Sequence, residues 1–478
     1  MGCLKYVGKK MIKKFYKIVA VVMIVACPLI PQLANAESLR QVMVKAYNNS
    51  GLLEQNRALL RVADEDVAVA ASFLRGVLGW SASIERNKVQ ALNSSSVRQE
   101  TDTASTEASV GLNASITLYD GGQNRFAVAA AKEAVLSTRQ KLVSVEQMVL
   151  FTTVQAFMEV RRERKYVALR KNNVRVIQEE LKAAKDRFEV GEVTKTDVAL
   201  AEARLAASVS SLASAKGSLA QAEEVYKQTI GDPAGSLSEP GKLPQLPSSS
   251  LATKKASVQS HPDIISIQHD IKQAEFNMKR AGGAFKPSVK LSTLLGYTEQ
   301  EADDFQRSGS ISLSASGPIY SGGRTPALLR KARAQRDAQR SGLHLTRLKL
   351  EQEAGSAFAL LQMAKAGRKA SEEQISASRV AFEGVREEAK VGARTTLDVL
   401  NAEQELLDAQ AGLISAEADE FIAAYRVLVQ VGKLTVDHLN LPVQRYDPLE
   451  YYNLVESAPT SMSNRGKKLD QILKAISK

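Results

Sequence analysis

A chain of 478 residues with a net charge of +12 invites a nucleic-acid reading. However, six lysines and no acid stand before Glu37, and the remaining charge is spread along long segments with no aromatic-rich basic motif, which argues against a nucleic-acid partner. Aromatics are 5 % with a single Trp, and the dominance of Ala, Ser, Gln, Glu, Lys and Arg is a long-helix composition, not that of two or three globular domains.

The chain begins with Lys9, Lys10, Lys13, Lys14 and Lys17, then an apolar run from Ile18 to Ile30 and Ala34-Asn35-Ala36. A basic stretch, a short apolar stretch and a small-x-small site form a secretory signal peptide over residues 1–36. The apolar run is too short for a spanning helix. Met11 is an alternative start, and Ile24-Val25-Ala26-Cys27 also fits a lipoprotein box, although Ala34-Asn35-Ala36 is the cleaner site. Cleavage after Ala36 removes Cys3 and Cys27 and leaves no thiol for disulfides, nucleophilic catalysis or metal binding.

The mature chain reads as one unit written twice. Gly322 and Gly323 stand 201 residues after Gly121 and Gly122, and Tyr320 stands 201 after Tyr119. At the same offset Val391-Gly392 falls on Val190-Gly191, Asp398-Val399 on Asp197-Val198, and Ala402-Glu403 on Ala201-Glu202. Residues 37–231 form the first copy and 263–432 the second. Pro/Ser/Lys-rich stretches at 232–262 and 433–478 stand outside, the last ending in a basic tail expected to be mobile.

Each copy is expected to open with a helix, Ser38–Arg75 and about Asp263–Ala281. Two alternating segments follow. Val110, Leu112, Ala114, Ile116 and Leu118 alternate with polar or small residues, as do Ile311, Leu313, Ala315, Gly317 and Ile319. Val289 to Tyr297 and, more weakly, Leu78 to Ile84 repeat the pattern; period 2 predicts strands of about ten residues. Polar loops are expected at Asn87–Thr106 and Thr298–Arg307. After each Gly pair comes a very long helix. Asn124–Val190 holds neither Gly nor Pro and reaches roughly 100 Å at the helical rise. Val160, Val167, Val174, Leu181 and Phe188 step by seven, a heptad column. The second long helix covers about Thr325–Lys390. Each ends at Val-Gly and returns through an Ala/Ser-rich helix, Asp197–Ile230 and Asp398–Val431.

Ten-residue strands with one apolar face suit a transmembrane barrel. Lipid forbids an open edge, and four strands per chain cannot close around a useful space, so several chains must contribute. Tyr119 and Tyr320, at the strand-to-helix boundary, and Trp80 suit a membrane–water interface.

The order signal, helix, strand pair, Tyr-x-Gly-Gly, long helix, Val-Gly tip and return helix, written twice, resembles the TolC family of outer-membrane ducts. The carrying segments are "DRFEVGEVTKTDVALAEARL", "EEAKVGARTTLDVLNAEQEL" and the mature start at Ala34-Asn35-Ala36-Glu37-Ser38-Leu39. The resemblance implies a mixed fold and a homotrimer: a long α-helical coiled-coil tunnel of twelve helices in the periplasm, and a twelve-stranded β-barrel in outer-membrane lipid. It implies docking of a periplasmic adaptor protein at the tips Val190, Gly191, Val391 and Gly392, and an inner-membrane pump of the ABC or RND type. It also implies a gate in which Arg394 links to Thr196 and Asp197. A Tyr of the family's gate is replaced by Ala389. Of two acidic ring positions, the first is Asp398 and the second is Asn401. Capping offers another role for both aspartates, because Thr194-Lys-Thr-Asp197 and Thr395-Thr-Leu-Asp398 fit a helix start.

Enzymatic chemistry has no support in the sequence. His261, His269, His344 and His438 are scattered, and no nucleophile elbow or phosphate loop appears, so no cofactor or metal is expected. The rival reading is a trimeric coiled-coil scaffold or adhesin of the envelope, which leaves the paired strands unexplained.

Overall fold

The computed structural model describes residues 36–93, 99–301 and 304–476. The expected signal segment, with Met11, Cys3 and Cys27, lies outside the described residues except for Ala36.

Ser38 starts the first helix through a reciprocal capping box with Gln41, satisfying two of the free N–H groups of the first turn. The single helix expected over Ser38–Arg75 is two, α1 (Leu39–Asn49) and α2 (Gly51–Ser72). Ser50 breaks it by adopting an extended conformation and accepting from the Leu53 N–H. The chain then forms β1 (Val77–Asn93) and β2 (Gln99–Tyr119), the long helix α3 (Gln123–Glu189) and the return helix α4 (Lys195–Ile230). Next come α5 (Ser250–Ser260), α6 (Pro262–Gly283), β3 (Ser288–Glu301), β4 (Asp304–Ser316), α7 (Arg324–Lys390) and α8 (Thr396–Gln430). Both long helices have 67 residues. The helix α5 lies in a stretch the sequence reads as irregular.

The expected polar loops are mostly strand. β1 and β2 pair in unbroken register from Val77↔Ser115 to Asn93↔Gln99, so Asn87–Asn93 and Gln99–Thr106 belong to the hairpin. Alternation of apolar residues marks only the part of a strand that has an apolar face; Gln99–Thr106, polar or small throughout, carries no such signal. β4 stops at Ser316, so Gly317, Ile319 and Tyr320 are not strand. The two strand-to-helix junctions therefore differ, because β2 continues to Tyr119 with an irregularity between Thr117 and Tyr119.

The four strands form one antiparallel sheet in sequence order. Its register sorts the residues onto two faces. One face carries Leu78, Trp80, Ala82, Ile84, Val110, Leu112, Ile116, Leu291, Leu295, Tyr297, Phe305, Ile311 and Leu313. The other carries Ser81, Ser83, Ser109, Asn113, Ser292, Thr298, Ser312 and Ser314, with Ser83–Ser109 and Ser292–Ser312 hydrogen-bonded across strands. Among the described residues nothing covers the apolar face: Trp80 is 76 % exposed and Leu313 67 %.

The main core lies midway along the helices, where α1, α3, α4 and α8 meet. Val42, Leu150, Phe157, Tyr226, Ile230, Leu428 and Leu434 are among its fully buried side chains. Toward the tip, Val160 and Leu181 of the heptad column are buried but Phe188 is exposed. The buried line there runs through Asn173, Ile177, Leu181 and Ala184, at the four-and-three spacing of a helix face.

The C-terminal stretch holds α9 (Pro448–Val455) and, within the basic tail, α10 (Asn464–Ile476). Tyr451, Val455 and Leu469 pack on Ala68 of α2, and the Tyr451 hydroxyl donates to Glu65 over 2.7 Å. Among the described residues, no helix is long and apolar enough to cross a membrane.

Candidate functional site

Two regions separate from the core as candidate sites: the uncovered sheet face and the pair of helical tips at the opposite end.

The tips are built alike. α3 ends at Val190 and α7 at Val391, and Gly191 and Gly392 follow, each with φ +79°. This left-handed conformation favours glycine. Gly191 N–H donates to Phe188 and Glu192 N–H to Arg187; Gly392 N–H donates to Ala389 and Ala393 N–H to Glu388. Both are Schellman closures, which satisfy the last carbonyls of the helix and reverse the chain within a few residues. Val190 and Val391 are left 70 % and 81 % exposed.

The return helices start with matching capping boxes. Asp197 N–H donates to Thr194 Oγ1 and Thr194 N–H returns to Asp197 Oδ2 at 2.9 Å. Asp398 and Thr395 repeat this, with 3.0 Å to Asp398 Oδ2. These bonds favour the ionised form. The side-chain and backbone bonds of Thr194 hold the Asp197 carboxyl below the usual carboxylate range. For Asp398 the Thr395 backbone N–H leads, then its hydroxyl, with Arg394 adding to the effect.

Within the chain Arg394 pairs with Glu388 at 2.8 Å, not with Thr196 or Asp197, and this bond raises its pKa. Asn401 accepts from the Arg204 guanidinium of α4 at 3.2 Å. Arg204 is a charged neighbour of the expected aperture that sequence spacing does not reveal. A second polar link also joins the copies. The Asn173 amide on α3 donates to the Glu403 carboxylate on α8 at 3.0 Å, with both residues buried. No local motif announces either link, because each joins residues about two hundred positions apart.

At the sheet, Trp80 lies three residues into β1, opposite Leu112. Tyr119 closes β2, and Tyr320 lies beyond β4, 88 % exposed. The far end carries an aromatic pair, Tyr297 stacked on Phe305 at 5.8 Å. Phe305 lies in a stretch expected as loop; it is in phase with Ile311 and Leu313, but Gly309 and Arg307 between them interrupt the apolar alternation.

An uncovered sheet with one apolar face, joined by sharp turns to paired helices of great length, is the chain architecture of outer-membrane channel proteins. The outer membrane efflux protein family matches residues 42–232 and 255–429, and this chain belongs to that family, the one typified by TolC. It is 36 % identical over 445 residues to the outer membrane efflux protein BepC of Brucella suis biovar 1 (strain 1330), covering 92 % of this chain and 95 % of BepC. It is 23 % identical to the outer membrane protein TolC of Vibrio cholerae serotype O1, over 84 % of this chain and 92 % of TolC. The fold is that of the Campylobacter jejuni CmeC outer membrane channel, with a TM-score of 0.75 at 19 % identity, over 88 % of this chain and 90 % of CmeC.

Proposed function

We propose that this protein is the outer-membrane channel of a tripartite efflux or type I secretion system. It takes substrate from an inner-membrane pump and its periplasmic adaptor and conducts it to the exterior, with no chemistry of its own. The observation that carries this reading is the apolar face running across all four strands with nothing among the described residues to cover it. β3 and β4 have 14 and 13 residues, about 45 Å of strand, or roughly 32 Å of depth at a tilt near 45°, which matches a hydrocarbon core.

β1 and β4 are open edges, which lipid does not tolerate. Three chains close them into a twelve-stranded barrel, with the polar face lining the lumen. The helices α3, α4, α7 and α8 of three chains continue it as a tunnel into the periplasm. The common offset of 201 residues between α3 and α7 supports an internal duplication, with residues 37–231 and 263–432 as the copies and 232–262 and 433–478 outside them. Residues 1–36 act as a cleaved signal peptide.

The adaptor docks at Val190, Gly191, Val391 and Gly392. Thr196, Asp197, Arg394, Asp398 and Asn401 form the gate and aperture, with Arg394 exchanging Glu388 for Thr196 and Asp197 of the first-copy tip. Trp80, Tyr119 and Tyr320 anchor the barrel at the membrane interface. A coiled-coil scaffold is disfavoured, since it has no use for the apolar sheet face. The test is single-channel conductance of the purified full chain in a planar bilayer. Stepwise conductance from a heat-modifiable trimer is expected; a soluble rod without conductance overturns the proposal.

A further inference from the structure

The two copies treat one carboxylate position differently. Glu202 and Glu403 are equivalent at the 201-residue offset, as are Lys185 and Arg386. In the first copy Glu202 is a half-exposed ion pair with Lys185 at 2.9 Å. In the second copy Glu403 is only 6 % exposed. It crosses to the first copy and accepts from Asn173 of α3. Its other oxygen, Oε2, is buried with no partner among the described residues. Arg386, which by analogy would pair with it, lies instead 3.6 Å from Glu180 of α3.

We propose that Glu403 is the positioning residue of the entrance: its neutral carboxyl seats α8 of the second copy against α3 of the first, and its ionisation loosens that contact. This rests on the reading of the tips as a channel entrance. Asp398 and Asn401 stand five and two residues before Glu403 on the same helix, so whatever seats Glu403 sets where they point.

The groups acting on this carboxyl are few. Burial dominates and disfavours the charge; Asn173 and Glu180 reach it from α3 and Arg386 from α7. Arg204, from α4, is engaged with Asn401. Asn173 and Arg386 favour the ionised form and Glu180 opposes it, and the balance leaves the carboxyl pushed up to about 7. A carboxyl held above its ordinary range in the seated state binds its proton more tightly there. The seat is therefore fully effective below the ordinary glutamate pKa and weakens as pH rises toward 7. Asp398 does not share this window, because its capping bonds move it in the opposite direction.

The test is hydrogen–deuterium exchange of residues 396–407 in the detergent-solubilised full chain at pH 5 and pH 8, corrected for the intrinsic pH dependence of exchange. Protection in the native chain is expected to fall by about tenfold or more between the two, while Glu403→Gln, which mimics the neutral acid, stays protected at both. Arg386→Gln, a half-exposed position, is expected to shift the native transition to higher pH, which keeps the proposal testable should Glu403→Gln fail to assemble. Equal protection of the native chain at both pH values, a parallel loss in Glu403→Gln, or an unmoved transition in Arg386→Gln overturns it. Bilayer conductance separates this from the parent reading. A conducting channel without the Glu403 effect refutes the seat alone; a Glu403-dependent transition in a non-conducting protein refutes the channel alone.

Discussion

Gly121 and Gly283 pack backbone against backbone: a Cβ on Gly121 would stand 2.5 Å from the Gly283 carbonyl oxygen and 2.9 Å from Lys286 Cβ. The end of α6 is thereby clamped onto the turn between β2 and α3. Asp120 reinforces that turn by accepting from Gly122 and Asn124 N–H at 2.9 and 2.7 Å. In the second copy the equivalent Gly322 has φ +58° but nothing within 4 Å of an added Cβ. Gly322→Ala should therefore cost only the strain of a left-handed alanine, about 1–2 kcal/mol. Gly121→Ala should cost about 1–3 kcal/mol beyond that for the overlap. The check is the temperature at which the proposed trimer dissociates on a gel; equal effects of the two variants would mean that Gly283 does not clamp the junction.

The sheet faces give a paired test. Leu313 lies on the apolar face and its neighbour Ser312 on the polar one. Leu313→Arg, or Leu112→Arg, should destabilise by about 2–4 kcal/mol if the side chain meets lipid near midplane. Ser312→Arg should be tolerated if it points into an aqueous lumen. Outer-membrane assembly measured by fractionation decides. Normal assembly of Leu313→Arg with loss of Ser312→Arg would place lipid on the opposite face.

At the tips the Arg204–Asn401 hydrogen bond alters what an acidic aperture predicts. Of the two proposed ring positions on α8, Asp398 carries a negative charge and Asn401 none, and Arg204 brings a positive charge beside Asn401 from α4. Asp398→Ala is expected to remove most of any block of single-channel current by multivalent cations added from the periplasmic side. Arg204→Gln is expected to strengthen that block by a few-fold, as the loss of an exposed charge pairing of ~0.5–1 kcal/mol allows. Asn401→Asp should tighten the block less in the native background than in Arg204→Gln, because Arg204 is poised to neutralise it. A block unchanged by Asp398→Ala would leave Asp398 with its capping role alone.

A second buried carboxylate makes a stability prediction. Asp64 on α2 is fully buried and neither oxygen has a hydrogen-bond partner among the described residues. Burial pushes its carboxyl up to about 7, Arg139 partly offsetting and Glu65 adding to this. The folded state binds this proton more tightly than the unfolded chain. Its contribution is therefore complete below the ordinary aspartate range and is lost as pH rises toward 7. Asp64→Asn should be more stable than the native chain at pH 8 by about 1–3 kcal/mol, with the gap closing near pH 4. Thermal unfolding at the two pH values measures it; a native chain that melts higher at pH 8 would mean that Asp64 is ionised and paired.

By itself the sequence determined the long elements and their order. Residues 123–189 lack Gly and Pro, so nothing interrupts helix propagation and its limits are legible within a residue or two. The tips were legible because a left-handed turn requires glycine, and Val-Gly marks it twice. The apolar sheet face was legible from period 2. Only the tertiary structure decided the rest. Polar strand segments such as Gln99–Thr106 are held by their partner strand and leave no hydrophobic signature. The helices α9 and α10 join one small cluster with Ala68 of α2 through Tyr451, Val455 and Leu469, and Tyr451 reaches Glu65. The seating of Glu403 on Asn173 spans 230 residues; nothing local distinguishes it from the exposed Glu202, and its burial follows only from where α8 meets α3.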